Sequence, residues 1–273
     1  MRFHTLVSAL LSCLLISCCT ALAEDAAPFA GYNAETRSYQ YVTFGSYPYT
    51  EAGEAAPVLW RVLGPGVPGG DDVLVAEAAA AFNKDKYANG DDFTAQTQDV
   101  FCLMSEYIID TVLYHDVRDV PEGPALDYQD ALIYTAMNGE IIDRLFTKEE
   151  QSVLVDMPGR GRLSPPSRKG ELFRTDYGFV TEDFTKARHR PGKGTPYAFA
   201  QGLRHVYGAY SWYWTTDWRR YGQRWIVGDD GHISVSGLDR EGGIRPVCYV
   251  HADMLMVTGG AGTFENPYQL TVR

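Results

Sequence analysis

The sequence predicts an α+β fold of short twisted antiparallel strands, a few short helices and long loops. Three observations carry that reading. Glycine (27), tyrosine (18) and proline (14) are abundant, which favours turns and short strands over a helical bundle. Two apolar regions far apart in sequence, Tyr41 to Leu63 and Tyr213 to Val250, both read as sets of short buried strands, as expected if the two ends of one domain meet in its core. A sustained three- and four-residue apolar spacing runs only from Tyr128 to Phe146.

Residues 1–23 read as a signal peptide. Arg2 gives the positive start, Leu6 to Ile16 an apolar run too short to span a bilayer, and Ala21-Leu22-Ala23 a cleavage site before Glu24. Leu15-Ile16-Ser17-Cys18 also fits a lipobox, in which Cys18 is lipidated. The first reading gives a secreted or periplasmic protein, the second a membrane-anchored lipoprotein. Residues 24–38 read as a flexible tether and 39–273 as a single domain.

Within that domain, Tyr39 to Phe44 fits a strand, Gly45 to Pro48 a turn, and Val58 to Leu63 a second strand. Residues 64–99 form a polar excursion. Val100 to Ser105 is a continuous apolar run, expected as a buried strand that Tyr107 to Leu113 continues or leaves. Asp127 or Asp130 can cap the helix at Tyr128 to Phe146, and Asn138-Gly139 is expected to break it in two. Thr147-Lys148-Glu149-Glu150 is a capping box that starts another short helix. Glu182 to Ala187 can hold a helical turn. Thr195-Pro196 opens a helix toward Leu203, since proline suits the first turn. Trp225 to Val227 and Ile233 to Val235 flank Gly228-Asp229-Asp230-Gly231 as a hairpin, and Ile244 to Tyr249 reads as the last core strand.

A net charge of -11 disfavours sequence-independent binding to nucleic acid or to anionic lipid, leaving a lipid anchor as the route to a membrane. Outside the leader stand Cys102 and Cys248, which form either one disulfide or two buried thiols; without a CxxC they make no zinc site.

The ordered segments Tyr41-Val42-Thr43-Phe44-Gly45-Ser46-Tyr47-Pro48, Trp60-Arg61-Val62-Leu63, Leu103 to Asp110, Met137-Asn138-Gly139-Glu140, Phe146 to Glu150, Thr195-Pro196-Tyr197-Ala198 and Gly243-Ile244-Arg245-Pro246-Val247 resemble the bacterial domain-of-unknown-function family 6273. The resemblance implies a C-type lectin-like fold, an exported location and no established reaction. Trp214-Thr215-Thr216-Asp217 stands where that family usually has Trp-Leu-Arg-Ser.

The candidate ligand surface is Trp218, Arg219, Arg220, Tyr221 and Arg224, flat aromatics beside arginines that suit sugar faces, peptides or carboxylated ligands. Trp60, Trp214, Trp225 and Arg245 are expected as core scaffold, and the loops at 159–170, 186–194 and 216–224 as carriers of specificity. Asp229, Asp230, Asp239 and Glu241 could offer oxygens to calcium but lack EF-hand spacing. There is no GxSxG or HExxH motif, and the histidines are isolated. The expectation is a non-catalytic recognition domain at the cell envelope for a glycan, an envelope fragment or a protein partner. The alternatives are an enzyme of the formylglycine-generating type and a purely structural envelope protein.

Overall fold

The computed structural model describes residues 32–33, 38–65, 100–116, 126–168, 171–174, 190–205, 208–220 and 222–273. The leader with Cys18, most of the tether, nearly all of the 64–99 excursion, the 182–187 turn and Tyr221 lie outside the described residues.

Along the chain come β1 (Tyr32–Asn33), β2 (Ser38–Pro48), β3 (Ala55–Pro65), β4 (Val100–Ser105), β5 (Tyr107–Ile108) and β6 (Asp110–Leu113). A helical segment follows: α1 (Leu132–Ala136), a π turn (Met137–Ile141) and α2 (Ile142–Leu145), then α3 (Lys148–Ser152) and α4 (Glu171–Arg174). After β7 (Gly192–Gly194) and α5 (Pro196–Ala200) the chain is β-rich: β8 (Tyr210–Ser211), β9 (Tyr213–Arg220), β10 (Gln223–Val227), β11 (Ile233–Gly237), β12 (Glu241–Ile244), β13 (Val247–His251), β14 (Leu255–Gly259) and β15 (Tyr268–Val272). The fold is α+β, with strands dominating and short helices between them.

The strands form three open sheets. The largest has seven strands, in the order β13-β4-β3-β2-β15-β14 with β1 added on β2; the second runs β11-β10-β9-β12-β6; the third is β5-β7-β8. The two sequence regions that read as ends of one core do meet: β13 pairs with β4, which pairs with β3, and β15 lies parallel to β2. One core cluster takes in Val42 and Trp60 from the large sheet, Ile133 and Met137 from the helical segment, and Trp214 and Ile244 from the second sheet. Every residue of β4 is buried because both of its faces are covered, which explains its unbroken apolar run.

Several local expectations are corrected. The tether ends early, since Tyr32 pairs with Tyr39 and Asn33 with Ser38. Gly45 to Pro48 is no turn: β2 runs through it with a bulge between Thr43 and Ser46, and Gly45 takes a φ of 67° there. Asp127 makes no side-chain cap, and α1 starts after Ala131. Asn138-Gly139 does not break the helix; it widens it into the π turn. The Asn138 carboxamide there accepts from the Arg162 and Leu163 amides (2.9 and 3.1 Å) and donates to the Leu163 carbonyl (2.9 Å), fastening the following loop. The Thr147 capping box forms as expected, and Thr195 caps α5 with Pro196 behind it. Ile244 to Tyr249 is two strands in two sheets, β12 and β13, because the chain changes sheet at Arg245-Pro246.

Cys102 and Cys248 are both buried, with no disulfide between them. Cys102 pairs across with Tyr249, and Cys248 with Leu103, so the one-residue offset sends the two thiols to opposite faces of the sheet. The disulfide reading is thereby corrected: no bond can form without a shift of register.

Gly45 supplies a first test. A Cβ there would lie 2.6 Å from the Leu145 carbonyl oxygen and 2.7 Å from the Phe146 ring, whereas Gly53, at φ 82°, faces open space. Gly45→Ala is expected to lower stability by about 2 kcal/mol or more and Gly53→Ala by about 1 kcal/mol. Equal losses in urea denaturation would remove the packing argument.

Candidate functional site

Four segments distant in sequence place ionisable and aromatic groups at one point. Tyr47 comes from the end of β2, Asp110 from the start of β6, Glu140 and Arg144 from the helical segment, and Tyr197 from the first turn of α5. The Tyr47 hydroxyl donates to Asp110 Oδ2 at 2.5 Å, and the Thr111 amide donates to Oδ1 at 2.8 Å. Arg144 Nη2 donates to the Tyr197 hydroxyl at 2.8 Å. The Arg144 guanidinium carbon lies 4.9 Å from the centre of the Tyr47 ring and 5.5 Å from that of Tyr197, and the two rings meet edge to face at 6.0 Å. Arg144 Nη1 stands 3.9 Å from Asp110 Oδ2 and 3.6 Å from Glu140 Oε1.

Burial raises the Asp110 carboxyl above its ordinary value, against the opposing pull of the Tyr47 hydroxyl, the Thr111 amide and Arg144. Burial, and then the Asp110 charge, push the Tyr47 phenol far up, so Tyr47 keeps its proton and acts as donor.

Beside this cluster opens a shallow cleft with a cavity volume of about 40 Å³, whose lining includes Tyr47, Tyr49, Pro57, Ser105, Tyr107 and Thr195. Tyr49, 37% exposed, meets Tyr107 edge to face at 6.1 Å. The Tyr197 amide donates to the Tyr49 carbonyl at 2.9 Å, which ties the cleft rim to the polar cluster. Arg245 lies behind Ser105, fully buried. Its Nε donates to the Ser105 carbonyl at 2.8 Å and Nη1 to the Arg190 carbonyl at 2.9 Å, with the Tyr213 hydroxyl 3.3 Å away. It is a structural arginine that clasps backbone where the chain changes sheet. The cleft can seat a small planar group against tyrosine; of the polar cluster Tyr47 lines it, and Asp110, Arg144 and Tyr197 are not among its lining residues.

Of the five residues expected as a ligand surface, the four described ones, Trp218, Arg219, Arg220 and Arg224, do not form one patch. β9 runs on to Arg220 and β10 begins at Gln223, so residues 216–220 and 223–224 lie in two paired strands rather than in a loop. Trp218 stands opposite Arg224 in the register. Arg224 is corrected outright. Its side chain is buried, donating to the Leu126 and Thr216 carbonyls, with its guanidinium 5.0 Å from both the Tyr114 and Trp218 ring centres. No surface ligand reaches it. Arg219 and Arg220 are exposed, and Arg220 Nε donates to Gln223 Oε1 at 2.7 Å. Trp225 is also corrected. It is half-buried rather than a core residue, because its neighbours Arg224 and Ile226 point inward and the alternation of the strand turns it out. Trp60 and Trp214 are fully buried as expected.

Of the expected specificity loops, the described part of 159–170 is fastened by Asn138, by the Ser164–Val247 bridge and by the Arg160–Glu171 pair at 2.8 Å. Among the described residues no three His, Cys, Asp or Glu side chains gather as a metal site, and Asp230 is engaged by His232 instead. Sequence reasoning missed Tyr47, Asp110, Arg144 and Tyr197 as a group. The available signal was that three of them fall inside the ordered segments of the family resemblance.

Comparison of the chain with family models, with curated proteins and with solved structures gives no match.

Proposed function

We propose that this chain is an exported, non-catalytic recognition domain of the C-type lectin-like type, which takes a glycan or a glycan-bearing envelope fragment in the tyrosine-lined cleft beside Asp110 and Arg144. The single observation that carries the reading is the convergence of Tyr47, Asp110, Arg144 and Tyr197 from four segments, with Tyr47 shared between this cluster and the wall of one open cleft. Tyrosine rings present apolar faces that match the C–H face of a sugar, while carboxylate and guanidinium serve its hydroxyls. Asp110 and Arg144 are already bonded to tyrosine hydroxyls, which fixes them as orienting groups. The alternative of a formylglycine-generating type needs two accessible, neighbouring cysteines. Burial of Cys102 and Cys248 on opposite faces weighs against it, and burial also pushes the Cys248 thiol well up.

The test is a glycan array followed by titration of the purified protein with the best binder. Tyr49→Ala and Tyr107→Ala are expected to weaken binding roughly two- to tenfold each, with unchanged melting temperature. An array blank for every glycan would remove the sugar reading; binding indifferent to both substitutions would remove the cleft.

A further inference from the structure

The outer face of the β9–β10–β11 sheet carries an arrangement that the cleft does not explain. Trp225 stands on β10, and two guanidiniums lie over its ring: the Arg168 carbon at 4.1 Å and the Arg219 carbon at 4.9 Å from the ring centre. Arg61, Arg144 and Arg160 each stand against a carboxylate. The Arg168 and Arg219 guanidiniums make no hydrogen bond and no ion pair among the described residues, although the chain carries a net charge of -11. Both residues are nevertheless held in place. The backbone of Arg219 is held in β9 and its guanidinium lies against the Trp225 ring, and the backbone amide of Arg168 donates to Asp217 Oδ2 at 2.7 Å.

Stacking on an indole uses the flat face of a guanidinium and leaves its N–H edges directed away from the ring. Two such forks on one indole are ready-made donors for planar oxyanions, and carboxylate matches the fork best. β10 is paired on both sides, with β9 and with β11, so the Trp225 strand has no open edge on which a peptide could add itself. The neighbour of Trp225 across β11 is Val235, 38% exposed, which adds apolar contact rather than charge. The Asp217 carboxylate is the nearby negative group that a ligand must clear, and it accepts from the Arg168 backbone amide.

We propose that Arg168, Trp225 and Arg219 form a second recognition site, separate from the tyrosine cleft, for the carboxylate groups of an acidic glycan. The stacked arginines supply bidentate donors, and the indole provides the apolar face on which they lie.

The experiment is calorimetric titration of the full protein with an oligogalacturonate and with a neutral oligosaccharide of equal length, at low and high salt. Saturable binding is expected for the uronate alone, weakening with salt. Arg168→Gln and Arg219→Gln should each weaken it about fivefold or more, with melting temperatures unchanged. Tyr49→Ala, which disables the cleft, should leave uronate binding intact, so failure of one site is distinguishable from failure of the other. Equal binding of neutral sugar, binding indifferent to both arginine substitutions, or equal affinity for an acidic peptide of matched charge would each overturn the proposal.

Discussion

Arg160→Met will destabilise the folded protein by about 3–5 kcal/mol at neutral pH, because it strands a carboxylate in the interior. Glu171 is fully buried. Its Oε1 accepts from Arg160 Nη1 at 2.8 Å and from the Tyr249 hydroxyl at 2.7 Å, and its Oε2 accepts from the Ser167 amide at 2.7 Å. Burial alone would raise this carboxyl; Arg160, Ser167 and Tyr249 outweigh burial and hold it below its ordinary 4.5. A carboxyl held low in the fold adds stability above its unfolded value and loses that contribution as pH falls through the folded value. Without Arg160, burial wins, the carboxyl titrates higher, and protonation relieves the stranded charge. Urea denaturation of both proteins should therefore show the deficit of the variant narrowing between about pH 7 and about pH 5. A deficit independent of pH would mean that lost packing, not the buried charge, is responsible.

Trp60→Ala is expected to cost about 3–5 kcal/mol, the range for emptying a fully buried indole site. Trp60 is wholly inaccessible; it stacks on Phe146 at 6.0 Å and 14°, and its Nε1 donates to the Phe44 carbonyl at 2.8 Å. That bond lies beside the bulge at Gly45, so the indole also satisfies a backbone group that the bulge takes out of the ladder. Trp60→Phe separates the two contributions. It restores most of the packing and leaves the Phe44 carbonyl unsatisfied, at a cost of about 1–3 kcal/mol. If phenylalanine and alanine were equally damaging in chemical denaturation, the hydrogen bond rather than the cavity would dominate.

What the sequence made legible was local. Thr147 and Thr195 announce their caps because a cap needs only a side chain and an amide three residues on. Val100 to Ser105 announces a strand covered on both faces because six successive buried residues leave no room for alternation. What it concealed depends on register or on distant partners. Cys102 and Cys248 look like a pair until the alignment of β4 with β13 sets them one residue apart. Trp225 looks like core by its size, yet Arg224 and Ile226 on either side of it had already taken the inward face. Arg144 sits in an unremarkable helical stretch and acquires its neighbours Tyr47, Asp110 and Tyr197 only when three other segments arrive. The hairpin residues chosen as a ligand surface were adjacent in sequence, and a strand divides such neighbours between its two sides.

The parallel pairing of β15 with β2 sets the timing of folding. Tyr268 aligns with Val42, and Gln269 with Thr43, so the strand that covers the side of β2 away from β3 is made long after it, 225 residues separating Thr43 from Tyr268. Until β15 is made, Val42 and Thr43 of β2 lack their β15 partners, and closing so long a loop is a slow step in completing the largest sheet.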